Sequence, residues 1–253
     1  MKDLDIEKYA HDLANAMPER PPEGARTRKR FVVRRVWREG ARYIGLEVEV
    51  DDPEFLAAFD CPGQYVTFQC GAYEPRFLVI ASAPGDEKWH FLIDRESEIG
   101  EMAERIEAGQ RVVLSPPEGH GYPAADAAGR SVLFFTTGAG IASVRPVLEY
   151  WRTRSELAPA SLAIYYGEND VDDFAYAGEF ADWRAQGARI YQAIENLPEP
   201  EEGFRYVQHA FEEDAPNLDN ALIFVSGAPI MMELMIGKLL RMGVPSGHIH
   251  INV

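Results

Sequence analysis

A small antiparallel β-barrel followed by a parallel-sheet α/β domain is the architecture this sequence predicts, and three features carry the prediction. Residues 30–122 break into short runs rich in Val, Ile, Tyr and Phe, separated by Gly, Pro and Asp, the pattern of strands joined by turns. After Gly129 the rhythm becomes strand, Gly-containing turn, helix, which builds a parallel sheet with helices on both faces. A length of 253 residues at 46% hydrophobic and 26% charged content is enough for two domains with real cores.

The elements follow in order. Leu4, Ile6, Tyr9, Leu13 and Met17 recur at helical spacing before a break at Pro18, Pro21, Pro22 and Gly24, so residues 1–29 read as a short amphipathic helix, docked on the body, and a linker. Residues 30–124 form the barrel domain, with strands over 31–37, 43–50, 64–69, 76–81, 88–93 and 110–115. Between the last two, Ile99, Met102, Ala103 and Ile106 share one face of a single helix within 98–108. Residues 125–253 form the α/β domain. Its strands are expected at 131–136, 161–166, 189–194 and 221–225, and its helices at 144–154, 174–186 and 230–242.

Charge narrows the partners. A net charge of −16 disfavours nucleic acid and anionic membrane surfaces and favours small or basic partners. The apolar runs at 131–135 and 221–225 fall far short of the roughly 20 residues that span a bilayer, and Met1 to Asp5 carry mixed charge where a targeting segment would be basic. No membrane span and a cytoplasmic location are therefore expected. Cys61 and Cys70 lack metal-cluster spacing, as do His90, His120, His209, His248 and His250. No metal is expected, and two unbridged cysteines suit a reducing compartment. His248 and His250 alternate on a terminal strand and are expected to be exposed.

Two turns carry chemistry. Gly138-Ala139-Gly140-Ile141-Ala142 follows a buried strand and opens a helix, where backbone N–H groups and the helix dipole can receive a pyrophosphate; the same glycines could simply allow strand and helix to pack. Ser226-Gly227-Ala228-Pro229 closes the last long strand, and its small residues let a flat nicotinamide ring approach the backbone.

Taken in order, the motifs resemble the ferredoxin-NADP reductase superfamily. Pro62-Gly63-Gln64-Tyr65-Val66 resembles its PGQYV strand, Arg76-Phe77-Leu78-Val79 its R-x-Y-S element, and Pro117-Glu118-Gly119-His120-Gly121-Tyr122 its P-x-G-x-x-F block. The Gly138 turn, Tyr166-Gly167, Tyr206-Val207-Gln208 (GYVQ) and Ser226-Gly227-Ala228-Pro229-Ile230-Met231-Met232 (C-G-P-x-x-M) complete the series. Phe77 to Pro84 and Leu114-Ser115-Pro116 look most like a branch of FAD/NAD(P)-binding oxidoreductases without an iron-sulfur cluster. The resemblance implies a six-stranded antiparallel flavin-binding barrel, a Rossmann-like nucleotide-binding domain, FAD and NAD(P)H as cofactors, and a possible protein electron acceptor.

By resemblance, Arg76 holds flavin phosphate with the turn Ile99-Gly100-Glu101, while Phe77, Leu78, Val79, Tyr65 and Ile93 surround the ring. Val79 brings a backbone N–H toward flavin N5, and Ser226, where the family has Cys, stands at the hydride-transfer end; these two are the candidate catalytic residues. Thr137, Gly138, Ala139, Gly140 and Ile141 cradle the nicotinamide dinucleotide. Gly227, Ala228 and Pro229 flank its ring, and Gly167, Glu168 and Glu195 lie near a ribose, with an acidic environment that favours NADH over NADPH. Glu98 and Glu101 oppose the flavin phosphate, and Arg95 compensates. Leu78, Val79, Gly100 and Ser226 all depart from the family pattern. They leave open a second reading, a flavin-poor, non-catalytic binding or assembly module.

Overall fold

A computed structural model of the chain describes residues 5–16, 27–197 and 203–252. Leu4, Met17, the break at Pro18 to Gly24, and Val253 lie outside the described residues. Helix α1 (Ile6–Ala14) opens the described chain. Six strands follow, β1 (Lys29–Glu39), β2 (Tyr43–Glu49), β3 (Tyr65–Cys70), β4 (Arg76–Val79), β5 (Lys88–Asp94) and β6 (Arg111–Leu114). They pair antiparallel in the order β4-β3-β6-β1-β2-β5. Just beyond β4 the Ala81 N–H donates to the His90 carbonyl of β5 at 2.8 Å, which brings the two ends of the sheet together as closure of a barrel requires. Val33, Leu46, Val48, Phe68, Trp89, Phe91 and Leu114 fill the interior.

Two short helices belong to the barrel. In α2 (Pro53–Ala58), unforeseen from the sequence, Asp52 caps the Glu54 and Phe55 N–H groups and proline takes the first turn, a standard start. The expected helix between β5 and β6 is α3 (Gly100–Arg105), whose Met102 and Ala103 are buried.

The second sheet contains β7 (Ser131–Thr137), β8 (Ser161–Glu168), β9 (Ala188–Ile194), β10 (Leu222–Ser226) and β11 (Ile249–Ile251), all parallel, in the order β11-β10-β7-β8-β9. Strands β7, β8 and β10 are buried almost without interruption, because α4 (Ile141–Thr153), α5 (Phe180–Ala185), α6 (Val207–Asp214) and α7 (Pro229–Arg241) cover both faces. The chain goes from β7 to β8 on one side and later returns to β10 on the other. Such a reversal opens a crevice beyond the carboxyl ends of β7 and β10.

Two expectations are corrected. The helix expected over 174–186 is one 3-10 turn, Ala177–Glu179, and the short α5, since Tyr176 is left-handed (φ 59°) and its N–H donates to Glu39 of the barrel at 2.8 Å. His248 and His250 are half-buried rather than exposed; His250 lies in β11, 5.9 Å from the Phe224 ring, and burial lowers its pKa.

The barrel and the parallel sheet share a polar junction. Ala41 N–H donates to the Asp172 carbonyl at 2.7 Å, and Arg145 of α4 reaches the Ala81 carbonyl at 2.8 Å while bridging to Glu179. Helix α1 precedes the barrel in sequence yet packs on α7: Ala10 is buried against Gly237, with Ile6, Tyr9 and Leu13 around it.

Candidate functional site

A cleft of about 1210 Å³ runs between the barrel and the carboxyl edge of the parallel sheet. Its barrel wall comprises Arg42, Phe77, Leu78, Val79, Leu92 and Asp94. Opposite stand Thr137 to Gly140, Gly167, Glu168 and Ser226 to Ala228, the ends of β7, β8 and β10. The outer end is formed by Glu195, by Arg205 to His209, and by Ile230 and Leu234 of α7.

Backbone packing defines the sheet wall. Gly227 has φ 121°, and a Cβ there would lie 2.5 Å from the Thr137 carbonyl oxygen and 2.7 Å from its nitrogen. A Cβ on Gly140 would fall 2.7 Å from the Gly227 nitrogen, so the two glycine turns are pressed on one another. Thr137 ties them together, its Oγ1 accepting from the Ala228 N–H at 2.9 Å. Gly138, at φ 59°, faces open space, with the Tyr43 hydroxyl 3.6 Å from its Cβ direction. Gly140 is thus a packing glycine, while Gly138 presents backbone to the cleft.

Ser226 is 3% exposed, and its hydroxyl is 3.1 Å from both the Gly140 carbonyl and Thr136 Oγ1. It is turned into the wall, so its contribution at the cleft is small volume and a fixed turn. Val79 and Leu78 are half-buried on the opposite wall. Ile141 is buried beneath the turn and Pro229 starts α7 in solvent.

Glu168 departs most from its expected role. Tyr43 of β2 donates to its two oxygens at 2.7 and 2.9 Å, and Tyr166 donates to Oε1 at 2.5 Å. Arg42, itself bridged to Asp94 at 2.6 Å, stands 3.9 Å away. Burial pushes the Glu168 carboxyl up to about 7, against the opposing pull of Tyr166, Tyr43 and Arg42. The side chain is therefore a knot joining the two sheets rather than a ribose ligand. Glu195 is exposed at the cleft's outer end, its N–H bonded to the Glu168 carbonyl at 2.9 Å. Asn196 is held by Asp170 at 3.2 Å.

The expected flavin-phosphate anchors lie away from these walls. Arg76 is paired with Glu98 and also donates to the Pro75 carbonyl at 2.9 Å. The Gly100 N–H, expected to face a phosphate, donates instead to the Ser97 carbonyl at 2.9 Å. Ile99 and Ile93 are buried with the barrel core, Ile93 on the wrong face of β5 to reach the cleft, and Glu101 pairs with Arg105 at 2.5 Å. Tyr65 packs edge-on against Phe77, 5.1 Å between centroids. The cleft thus fits a flavin ring, with an apolar wall facing small residues; the donor set beyond it does not match a diphosphate.

Sequence reading missed Arg42, Leu92, Asp94, Arg205, Tyr206 and His209 as cleft residues. The Tyr206-Val207-Gln208 motif is the sequence signal that points to this stretch.

Residues 134–236 match the family described as the oxidoreductase NAD-binding domain. Among curated proteins the chain is similar to fruit protein pKIWI502 of Actinidia deliciosa, 27% identical over 219 residues, 76% of this chain and 66% of that protein. It is also similar to sulfhydrogenase 2 subunit gamma of Pyrococcus furiosus, 20% identical over 206 residues, 76% of this chain and 71% of that one. The chain thus spans a little under two thirds of the first relative. Its fold is shared with the FAD/NAD-binding domain of a Vibrio cholerae nitric oxide dioxygenase, at TM-score 0.74, 19% identity and coverage of 88% and 97%. A ferredoxin NADP+ reductase from Neisseria gonorrhoeae with bound FAD and NADP gives TM-score 0.74 at 13% identity, covering 90% and 98%. The chain thus shares the two-sheet fold of these FAD- and nicotinamide-binding proteins, and its residues 134–236 match the oxidoreductase NAD-binding domain.

Proposed function

We propose that the chain is an NAD(P)H-dependent flavoprotein oxidoreductase that prefers NADH and passes electrons onward without an iron-sulfur cluster. The observation that carries this reading is the pair of interlocked glycine turns at Gly138 and Gly227, facing Leu78 and Val79 across the cleft at the switch point of the sheet. A bound flavin supplies the exchange between a two-electron donor and one-electron acceptors.

The chain's own residues prepare that exchange. Backbone N–H groups at Gly138 and Ala139 receive the dinucleotide phosphates ahead of α4, and Gly227 and Ala228 leave room for the nicotinamide. Leu78, Val79 and Leu92 form the apolar face on which a ring lies, holding water away. Thr137 fixes both turns at once through the Ala228 N–H.

Support for NADH rests on Glu195, exposed at the outer end, where a carboxylate can accept from a ribose hydroxyl and repels a 2′-phosphate. Arg205 on the same wall donates to the Leu197 carbonyl at 3.0 Å, which makes it the competing influence. With a net charge of −16, a basic protein acceptor fits better than an acidic one. No described helix is long and apolar enough to cross a membrane, and we assign the chain to the cytoplasm. We divide it at 29/30 and 124/125 into N-terminal segment, flavin domain and nucleotide domain.

Anaerobic stopped-flow reduction of the flavin-loaded protein by NADH and by NADPH tests the reading. Faster or tighter reaction with NADH is expected, and equal behaviour would remove the preference. Failure to bind any flavin would favour instead a non-catalytic assembly module, the reading that the Arg76–Glu98 pair and the committed Gly100 N–H support.

A further inference from the structure

FAD offers two separable features for recognition, a tricyclic ring and a diphosphate joined to adenosine, and the barrel treats them unequally. The ring side is available: Leu78, Val79 and Leu92 line the cleft, and the nearby charges of Arg42 and Asp94 neutralise one another at 2.6 Å.

A diphosphate needs donors with no better partner. Arg76 is 16% exposed and already bonded to Glu98 and to the Pro75 carbonyl. The Gly100 N–H is committed to Ser97. No hydroxyl can be supplied at residue 100, because a Cβ would fall 2.9 Å from Arg95 Cα and closer still to the Arg95 carbonyl. Arg95, the next cation, is committed to Glu104 at 2.5 Å and to the Ala41 carbonyl at 2.8 Å. Helix α3 has six residues, no side-chain cap and Glu101 in its first turn. Arg76, Arg95 and the Gly100 N–H are thus occupied, a hydroxyl at residue 100 is excluded, and carboxylates stand beside them.

Resting on the oxidoreductase reading and narrowing it, we infer that the chain recognises flavin by its ring and not by its diphosphate, so that FAD, FMN and riboflavin bind alike and exchange with solution as a second substrate. The balanced reaction is NADH plus flavin plus one proton giving NAD+ and dihydroflavin. The nicotinamide C4–H bond breaks, an N–H bond forms at N5, and water supplies the proton.

The test is titration of the full chain, freed of flavin, with riboflavin, FMN and FAD, followed by flavin fluorescence and calorimetry. Dissociation constants within about tenfold of one another are expected, since a tenfold ratio is the least that a useful diphosphate contact would add; FAD tighter than riboflavin by more than that overturns the inference. Glu98 is 70% exposed, so Glu98→Gln leaves the fold intact and frees Arg76. A rise of about fivefold to tenfold in FAD affinity relative to riboflavin supports the inference, and an unchanged ratio overturns the part assigned to Glu98. If none of the three flavins binds, the oxidoreductase reading itself fails, an outcome distinct from FAD-selective binding.

Discussion

The two walls of the cleft are built from different material. The sheet wall is backbone packed on backbone, with Gly140 against Gly227 and Gly227 against Thr137. The barrel wall is a set of side chains, Leu78, Val79 and Leu92, with Arg76 and Glu98 beyond them. A backbone site has no graded response, because any Cβ collides, whereas a side-chain site can lose one contact and keep the rest. The contrast fits where the family match falls, residues 134–236 in the sheet half, while the barrel half departs from the motif pattern at several positions.

The largest effect expected is at the interlocked turns. Gly227→Val places a branched side chain on the Thr137 backbone at a positive φ. It should weaken dinucleotide binding by more than about 100-fold and cost about 3 kcal/mol or more of stability. Gly140→Val should do nearly as much, because the same contact is struck from the other side. Calorimetric NADH titration and thermal unfolding measure both. A Leu78→Tyr change on the barrel wall, by contrast, should shift flavin affinity by no more than about tenfold. Equal sensitivity of the two walls would break the comparison.

The junction comes next. Glu168 has its folded-state pKa raised from 4.5 to about 7, chiefly by burial. Below pH 4.5 the group is neutral in folded and unfolded chains alike. As pH rises toward 7 the unfolded chain ionises first, and stability falls by an amount on the order of 2 to 3 kcal/mol before levelling off. Glu168→Gln, which keeps an acceptor for Tyr43 and Tyr166, should flatten that slope between pH 4.5 and 7, as read by urea unfolding at stepped pH. A wild-type slope that persists in the variant would assign the pH dependence elsewhere.

A smaller change is expected at the outer end. Glu195→Gln should raise NADPH use relative to NADH by about tenfold, the effect of removing one partly solvated repulsion. A kcat/KM ratio unmoved by the change would mean that Glu195 does not face the ribose. Smallest of all, Ser226→Ala should alter kcat by less than about threefold, because the hydroxyl bonds the Gly140 carbonyl and Thr136 rather than the cleft. A large kcat loss at unchanged KM would return Ser226 to a direct catalytic role.

Much of the fold was legible because local pattern and local structure agree: alternating apolar residues in the barrel strands, continuous apolar runs in β7 and β10, and glycine turns between strand and helix. What was hidden depended on distant partners. Glu168 reads as an acidic loop residue until Tyr43, 125 positions away, is brought to its carboxylate. Tyr176 breaks an apolar helical pattern because Glu39 of the barrel takes its N–H. Helix α6 ends in Glu212, Glu213 and Asp214, too polar a stretch to announce itself. At the flavin end, sequence located the Gly100 turn but could not reveal that its N–H was already spent on Ser97.

Helix α1 ties the beginning of the described chain to nearly its end. His11 and Glu233, 222 residues apart, are 3.1 Å from each other, and the Ala10 face rests on the Gly237 turn of α7. During synthesis from the amino terminus, α1 emerges before the barrel, while its seat on α7 is made only after β10. Ile6, Tyr9 and Leu13 therefore wait through the making of β1 to β10 with their apolar face uncovered. A contact of such sequence separation closes slowly, so docking of α1 belongs to the final events of folding. A chain stalled before α7 displays an unsatisfied amphipathic helix for quality-control machinery to seize.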